Sequence, residues 1–178
     1  MSRGKGGNPV PQNIVLIGMM GCGKTTVGHL LSQRFRRPLT DTDALIEARQ
    51  ACSISDIFAQ RGEAHFRALE LALCQELGNQ QNLIIACGGG LPLQDGAITA
   101  LKQNGLVFWL DRDPGETYDA LDISGRPLAQ AGREAFIQRY HDRAPVYRRW
   151  ADRVIPCAGG PQAAEHLIST ICMEVPQP

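Results

Sequence analysis

Gly18-Met19-Met20-Gly21-Cys22-Gly23-Lys24-Thr25 matches the phosphate-loop pattern G-x-x-x-x-G-K-[ST] at every fixed position. Its glycines let the backbone curl until successive N–H groups point into one concavity. The helix that follows adds the positive end of its dipole. Lys24 can then reach the β- and γ-phosphates of a nucleotide, and the Thr25 hydroxyl can ligate Mg²⁺. Asp41 and Asp43, two residues apart, offer carboxylates for a metal shell and for a substrate hydroxyl. Capping of a helix by Asp43, ahead of Ala44-Leu45-Ile46, would explain one of them but not both. Gly88-Gly89-Gly90 lets a ligand approach the backbone closely. Arg67 stands between Glu63 and Glu70 at helical spacing, which a solvated charge ladder would also produce. Arg143-Ala144-Pro145-Val146-Tyr147 carries no signal by itself.

The elements needed to position these residues are legible in the hydrophobic pattern. Asn13–Ile17 reads as a buried parallel strand, and Thr26–Phe35 as the helix after the loop. A second strand is expected over Arg36–Asp41 and a helix over Ala44–Ala51. Another helix starts near Ile54, capped by Ser53 or Ser55, breaks at Gly62 and resumes over Glu63–Leu77. Leu83–Cys87 and Leu106–Leu110 read as strands separated by a helix over Gln94–Gln103. A helix near Gly115–Leu121, a polar segment over about 122–132, a helix over Arg133–Trp150 interrupted by Pro145, a strand Arg153–Pro156 and a helix Pro161–Met173 complete the chain. Strands alternate with helices, so the sheet should be parallel with helices on both faces. The phosphate loop, Asp41, Asp43 and the triple glycine all fall at strand carboxyl ends, which should face one cleft.

The 178 residues suit one domain with one sizeable core over 13–173, with a flexible lead-in at 1–12 and a tail at 174–178. Lys plus Arg and Asp plus Glu are both 18, so charge gives no support for a nucleic-acid or anionic-membrane partner. No apolar run approaches the roughly 20 residues of a membrane helix. Six cysteines without a C-x-x-C pair read as reduced thiols of a cytoplasmic protein. The four histidines fit no metal spacing.

Taken in order, these pieces resemble the shikimate kinases. The likeness rests on Gly18–Thr25 with Val27-Gly28, Asp41-Thr42-Asp43 with Ile46-Glu47, Ile54–Phe58, Gly62-Glu63-Ala64-His65-Phe66-Arg67 with Glu70, Gly88-Gly89-Gly90, Arg126-Pro127-Leu128, and Arg143–Tyr147 with Ala151. It implies a three-layer α/β P-loop kinase fold, nucleoside-monophosphate-kinase-like, with a five-stranded parallel sheet. It implies transfer of the ATP γ-phosphoryl group to the 3-hydroxyl of shikimate, a step of aromatic amino-acid synthesis. By the same resemblance, Gly21, Cys22, Gly23, Lys24, Thr25 and Thr26 hold the nucleotide phosphates. Thr25 ligates Mg²⁺, and Asp41 holds it through water. Asp43 binds ring hydroxyls and is the candidate base. Arg67 and Arg143 grip the substrate carboxylate, Gly89 and Gly90 pack against the ring, and Arg126 descends on a lid over the phosphates. A cytoplasmic monomer is expected.

Three positions depart from the family pattern. Cys87 stands where a Ser or Thr usually ends the third strand. Asp119 stands where an arginine often stacks on adenine. Leu128-Ala129-Gln130 replaces a second lid leucine. Two other functions fit the residues alone: a related kinase for another hydroxy acid such as gluconate, and a nucleotide-binding regulator without catalysis.

Overall fold

The computed structural model describes residues 12–121 and 131–174. The expected lid over 122–132, apart from its last two residues, lies outside that range, as do Arg126, residues 1–11 of the lead-in and residues 175–178 of the tail.

Five strands form one parallel sheet: β1 (Asn13–Ile17), β2 (Leu39–Asp41), β3 (Leu83–Ala86), β4 (Gly105–Asp111) and β5 (Arg153–Pro156), in the order β2-β3-β1-β4-β5. β1 lies at the centre, with Val15 beside Ile85 on one side and Val107 on the other. Between and around the strands run α1 (Lys24–Phe35), α2 (Thr42–Gln50), α3 (Ile54–Gly78), α4 (Asp95–Lys102), α5 (Pro114–Asp119), α6 (Arg133–Trp150) and α7 (Gly160–Glu174).

The period-two alternation of the strands sorts the core into two layers. Ile14, Leu16, Phe108 and Leu110 pack against Val27 and Leu31 of α1 and Ile168 of α7. Val15, Ile17, Ile85 and Trp109 turn the other way, onto Phe66 and Leu73 of α3, Ile98 of α4 and Tyr147 of α6. Both faces of the sheet are therefore covered, as a parallel sheet requires. All strand carboxyl ends emerge on one edge.

Four local expectations are corrected. The second strand is only Leu39–Asp41, because the chain leaves α1 through Arg36 in the left-handed region. The helix after it starts at Thr42, and its cap is Asp41 rather than Asp43. α6 continues through Pro145 instead of being interrupted there. Pro145 withholds one N–H, yet the helix is anchored on both sides of it by buried Phe136 and Tyr147. The third strand stops at Ala86, one residue before Cys87. The break at Gly62 is present, with φ 79° and ψ 169°. Ser53 caps α3 in a reciprocal capping box with Asp56.

Candidate active site

The phosphate loop joins β1 to α1, and Gly23 occupies the N-cap of α1 at φ 101°. No atom would oppose a Cβ there, so the left-handed backbone itself is what calls for glycine. Lys24 folds back and donates from Nζ to the carbonyls of Gly18 and Met19 at 3.0 and 2.9 Å. Its ammonium is thus held over the concavity of the loop.

Thr25, the next residue of α1, donates its hydroxyl to Oδ2 of Asp41 at 3.0 Å. The other oxygen of Asp41 caps α2, accepting from the N–H groups of Asp43 and Ala44. Asp41 is extended (φ −91°, ψ 120°) and the chain turns immediately after it. The turn therefore gives the two carboxylates different neighbours: Asp41 caps α2 and faces Thr25, Asp43 does neither, and both line one cleft. Thr25 and Asp41 together present hard oxygen donors beside Lys24, a fit for Mg²⁺, which keeps most of its waters and needs few protein ligands.

Asp43 faces the triple glycine. A Cβ on Gly88 would collide with the Asp43 carboxylate, so only glycine permits this approach. Between them, fully buried Thr42 accepts from the Gly88 N–H at 2.9 Å, tying the end of β2 to the end of β3. The Asp43 carboxyl is pushed up to about 6, chiefly by burial and then by the Asp41 carboxylate, with Lys24 opposing.

Two arginines reach the triple glycine, Arg67 at Gly90 and Arg143 at Gly89. The Arg67 guanidinium lies 3.2 Å from where a Gly90 Cβ would be. It is braced by Glu63 (Nη2–Oε1 2.9 Å) and by Glu70 (Nη1–Oε2 2.6 Å). Glu70 is only 1% exposed, so the triplet is not the solvated ladder that its spacing also allows. Arg143 donates to the Gly89 carbonyl at 3.3 Å, and the buried Tyr147 hydroxyl, one turn further along α6, donates to the same oxygen at 2.7 Å.

Met20, Gly21, Lys24, Thr25, Asp41, Asp43, Cys87, Gly88 and Gly89 line one cleft of about 450 Å³. A smaller cavity of about 140 Å³ opens on the other side of the loop, between Cys22, Gly23 and Val27 and the Arg112, Cys157 and Pro161 side chains. A wider hollow between α5 and α6, about 570 Å³, includes no phosphate-loop residue. Asp119 is engaged with Arg133 at 2.9 Å. Thr26, like Thr25 before it, is exposed at the start of α1, and Cys87 is buried among the cleft residues, where burial pushes its thiol well up.

The structure thus gathers Lys24, Thr25, Asp41, Asp43, Gly88, Gly89 and Gly90, with Arg67 and Arg143 beside the last two. Arg126 lies outside the described residues. Sequence reasoning left Thr42, Glu70, Gln94 and Tyr147 without roles in the site. Glu70 and Tyr147 stood within the quoted motifs, but their burial was not legible there. Gln94 carried no signal.

The shikimate kinase family model matches residues 20–172. A shikimate kinase of Synechococcus sp. (strain JA-3-3Ab) is 41% identical over 166 residues, covering 89% of this chain and 87% of the relative. One from Clostridium botulinum (strain Eklund 17B / Type B) is 37% identical over 142 residues, covering 80% and 86%. The solved shikimate kinase from Acinetobacter baumannii in complex with shikimate superposes with a TM-score of 0.79 at 35% identity, covering 90% of each chain. With the loop, the strand order and the paired arginines already in place, these likenesses lead to one conclusion: the chain belongs to the shikimate kinase family.

Proposed function

We propose that this protein transfers the γ-phosphoryl group of ATP to the 3-hydroxyl of shikimate. The observation that carries the reading is the convergence of two kinds of site on Gly88–Gly90: phosphate and proton chemistry from Lys24, Thr25, Asp41 and Asp43, and two arginines suited to a carboxylate. Phosphoryl transfer asks mainly for positioning and charge neutralisation, and this cleft offers both. Gluconate or another hydroxy acid is not favoured, given the family and the shikimate complex of the relative.

In this reading the loop amides from Gly21 to Thr26 and the Lys24 ammonium hold the phosphates. The nucleoside lies towards the smaller cavity on the Cys22–Gly23 side. Thr25, and Asp41 through water, would hold Mg²⁺, which would supply charge neutralisation at the phosphates. Asp43, with its carboxyl raised to about 6, accepts the hydroxyl proton. The hydroxyl oxygen bonds to the γ-phosphorus as the bond to the β–γ bridging oxygen breaks. Arg67 and Arg143 orient the acid by charge-assisted hydrogen bonds, each about 1.5–3 kcal/mol. Gly89 and Gly90 pack against the ring, and Arg126 is assigned to the phosphates as a third cation. Cytoplasmic residence as a monomer belongs to the same proposal. The free thiols, five of the six buried, support a reducing compartment, and no helix among the described residues is long and apolar enough to cross a membrane.

The test is ADP release with a panel of hydroxy acids. Shikimate should be turned over at least 100-fold more efficiently than gluconate; equal or reversed efficiencies would remove the substrate assignment, and no ADP release with any acid would remove catalysis.

A further inference from the structure

Gln94 opens α4, directly after the single 3-10 turn Leu91–Leu93 that follows the triple glycine. Its backbone is fixed there: the N–H donates to the Leu91 carbonyl at 3.0 Å, and its own carbonyl accepts from Ala97 and Ile98. Its side chain makes no capping hydrogen bond. Helix N-caps favour Ser, Thr, Asp or Asn, whose short side chains reach back to the helix N–H groups. A glutamine here forgoes that stabilisation, and its side chain is directed elsewhere. Nε2 donates at 2.5 Å to Oε2 of Glu70, the same oxygen that accepts from Nη1 of Arg67 at 2.6 Å.

Resting on the shikimate reading above, we infer that Gln94 is a positioning residue for the acid substrate, holding the Glu70 carboxylate so that Arg67 stays aimed at the backbone of Gly90. The contacts form a closed ring. α3 meets the loop after β3 at two places, Arg67 against Gly90 and Glu70 against Gln94, with three residues of chain between the two loop positions. Cutting either link frees the guanidinium from one of its two fixed references. Gln94 suits the task because its amide donates without bringing a second charge to a carboxylate already paired with one guanidinium.

Burial of Glu70 favours its neutral form. A protonated Glu70 would weaken its hold on Arg67, and a neutral donor on Oε2 opposes protonation. The charged groups facing Glu70 are Arg67 and Glu63 on α3 and Asp43 at the head of α2. Cys74 and Cys87 are also close, and burial keeps both thiols neutral.

Gln94→Met keeps length and volume and removes the donor. It should raise the shikimate KM about 5- to 20-fold, leave the ATP KM within about twofold, and move the Glu70 carboxyl titration of the ligand-free protein to higher pH by carbon-13 NMR. In an Arg67→Ala background the same change should add less than about twofold to the shikimate KM, since Gln94 acts through Arg67. Gln94→Glu, with the same shape but an acceptor in place of the donor, should raise the shikimate KM more, and increasingly so with pH. An unmoved Glu70 titration, equal rises in both KM values, or additive effects with Arg67→Ala would each overturn the assignment. The NMR readout needs no substrate. A wild type inactive on shikimate would therefore sink the function reading alone, while Gln94 would still be judged by the Glu70 titration.

Discussion

The Asp43 carboxylate lies against the backbone of Gly88, in space that a Cβ would otherwise occupy. A residue with any side chain at 88 must push the candidate base out of the cleft. The third strand is too well buried to give way instead. Gly88→Ala should therefore lower kcat by about 100-fold, the scale expected for roughly 1 Å of misplacement, while the protein remains folded. Steady-state kinetics with circular dichroism as the folding check would measure this. A kcat within threefold of wild type would show that Asp43 need not sit there.

Asp43 also makes a pH prediction with a definite sign. Its carboxyl ordinarily titrates near 3.8 and is raised to about 6 in the fold. The folded state thus binds this proton more tightly than the unfolded chain does. The contribution to stability is fully present below the ordinary value and is lost as pH rises through about 6. At 1.36 kcal/mol for each pH unit the effect is at most about 3 kcal/mol, and solvent at the partly open cleft reduces it to on the order of 1–2 kcal/mol. Asp43→Asn should accordingly raise Tm at pH 8 by about 2–6 °C and bring no gain at pH 4. A gain at pH 4 equal to that at pH 8 would contradict the burial argument.

Activity should run the opposite way with pH. A base must be ionised, so kcat/KM of the wild type should climb with pH and level off above about 6. Asp43→Asn should lose about 10²–10⁴ in rate, the usual range for a positioned acid–base group. A flat wild-type profile between pH 5 and 8 would argue that another group takes the proton.

Arg67 and Arg143 should fail differently when removed. Arg67 is already neutralised by Glu63 and the buried Glu70, whereas Arg143 meets the Gly89 carbonyl. Arg143→Ala should raise the shikimate KM at least tenfold with Tm nearly unchanged. Arg67→Ala should raise KM and also cost stability, about 1–3 kcal/mol, since Glu70 is left buried with Gln94 as its remaining donor. Thermal melts of the two variants decide it: equal Tm values would mean Glu70 does not depend on Arg67.

Lys24→Ala should abolish turnover and leave the fold intact, because the side chain contacts the loop carbonyls, the Cys22 sulfur and the cleft rather than the core. For Arg126→Ala the expected loss is about 10³-fold in kcat, the lower end for an arginine at a transferring phosphoryl group, with the ATP KM little changed. Turnover near wild type in either variant would remove that residue from the phosphate assignment.

Much of this molecule was readable from the residues in line. The phosphate loop, the alternation of strands and helices, the break at Gly62 and the meeting of strand ends in one cleft all follow from short-range rules. Glycine conformation, hydrophobic period and the handedness of parallel crossovers act within one element or between neighbouring ones. The family resemblance implied a division of labour between Asp41 and Asp43, but the local pattern could not supply it, because it depends on the chain turning at Thr42, a residue pinned by the Gly88 N–H, 46 positions away. Nor could that pattern supply the continuation of α6 through Pro145, where burial of Phe136 and Tyr147 outweighs one missing donor. Glu70, Gln94 and Tyr147 were likewise hidden. A buried carboxylate and a solvated one have the same letter, and what separates them here is α3 packing against the loop after β3 and α6 reaching the Gly89 carbonyl. Local chemistry named the candidate phosphate site; long-range packing chose which oxygen, which proton and which arginine each part of it faces.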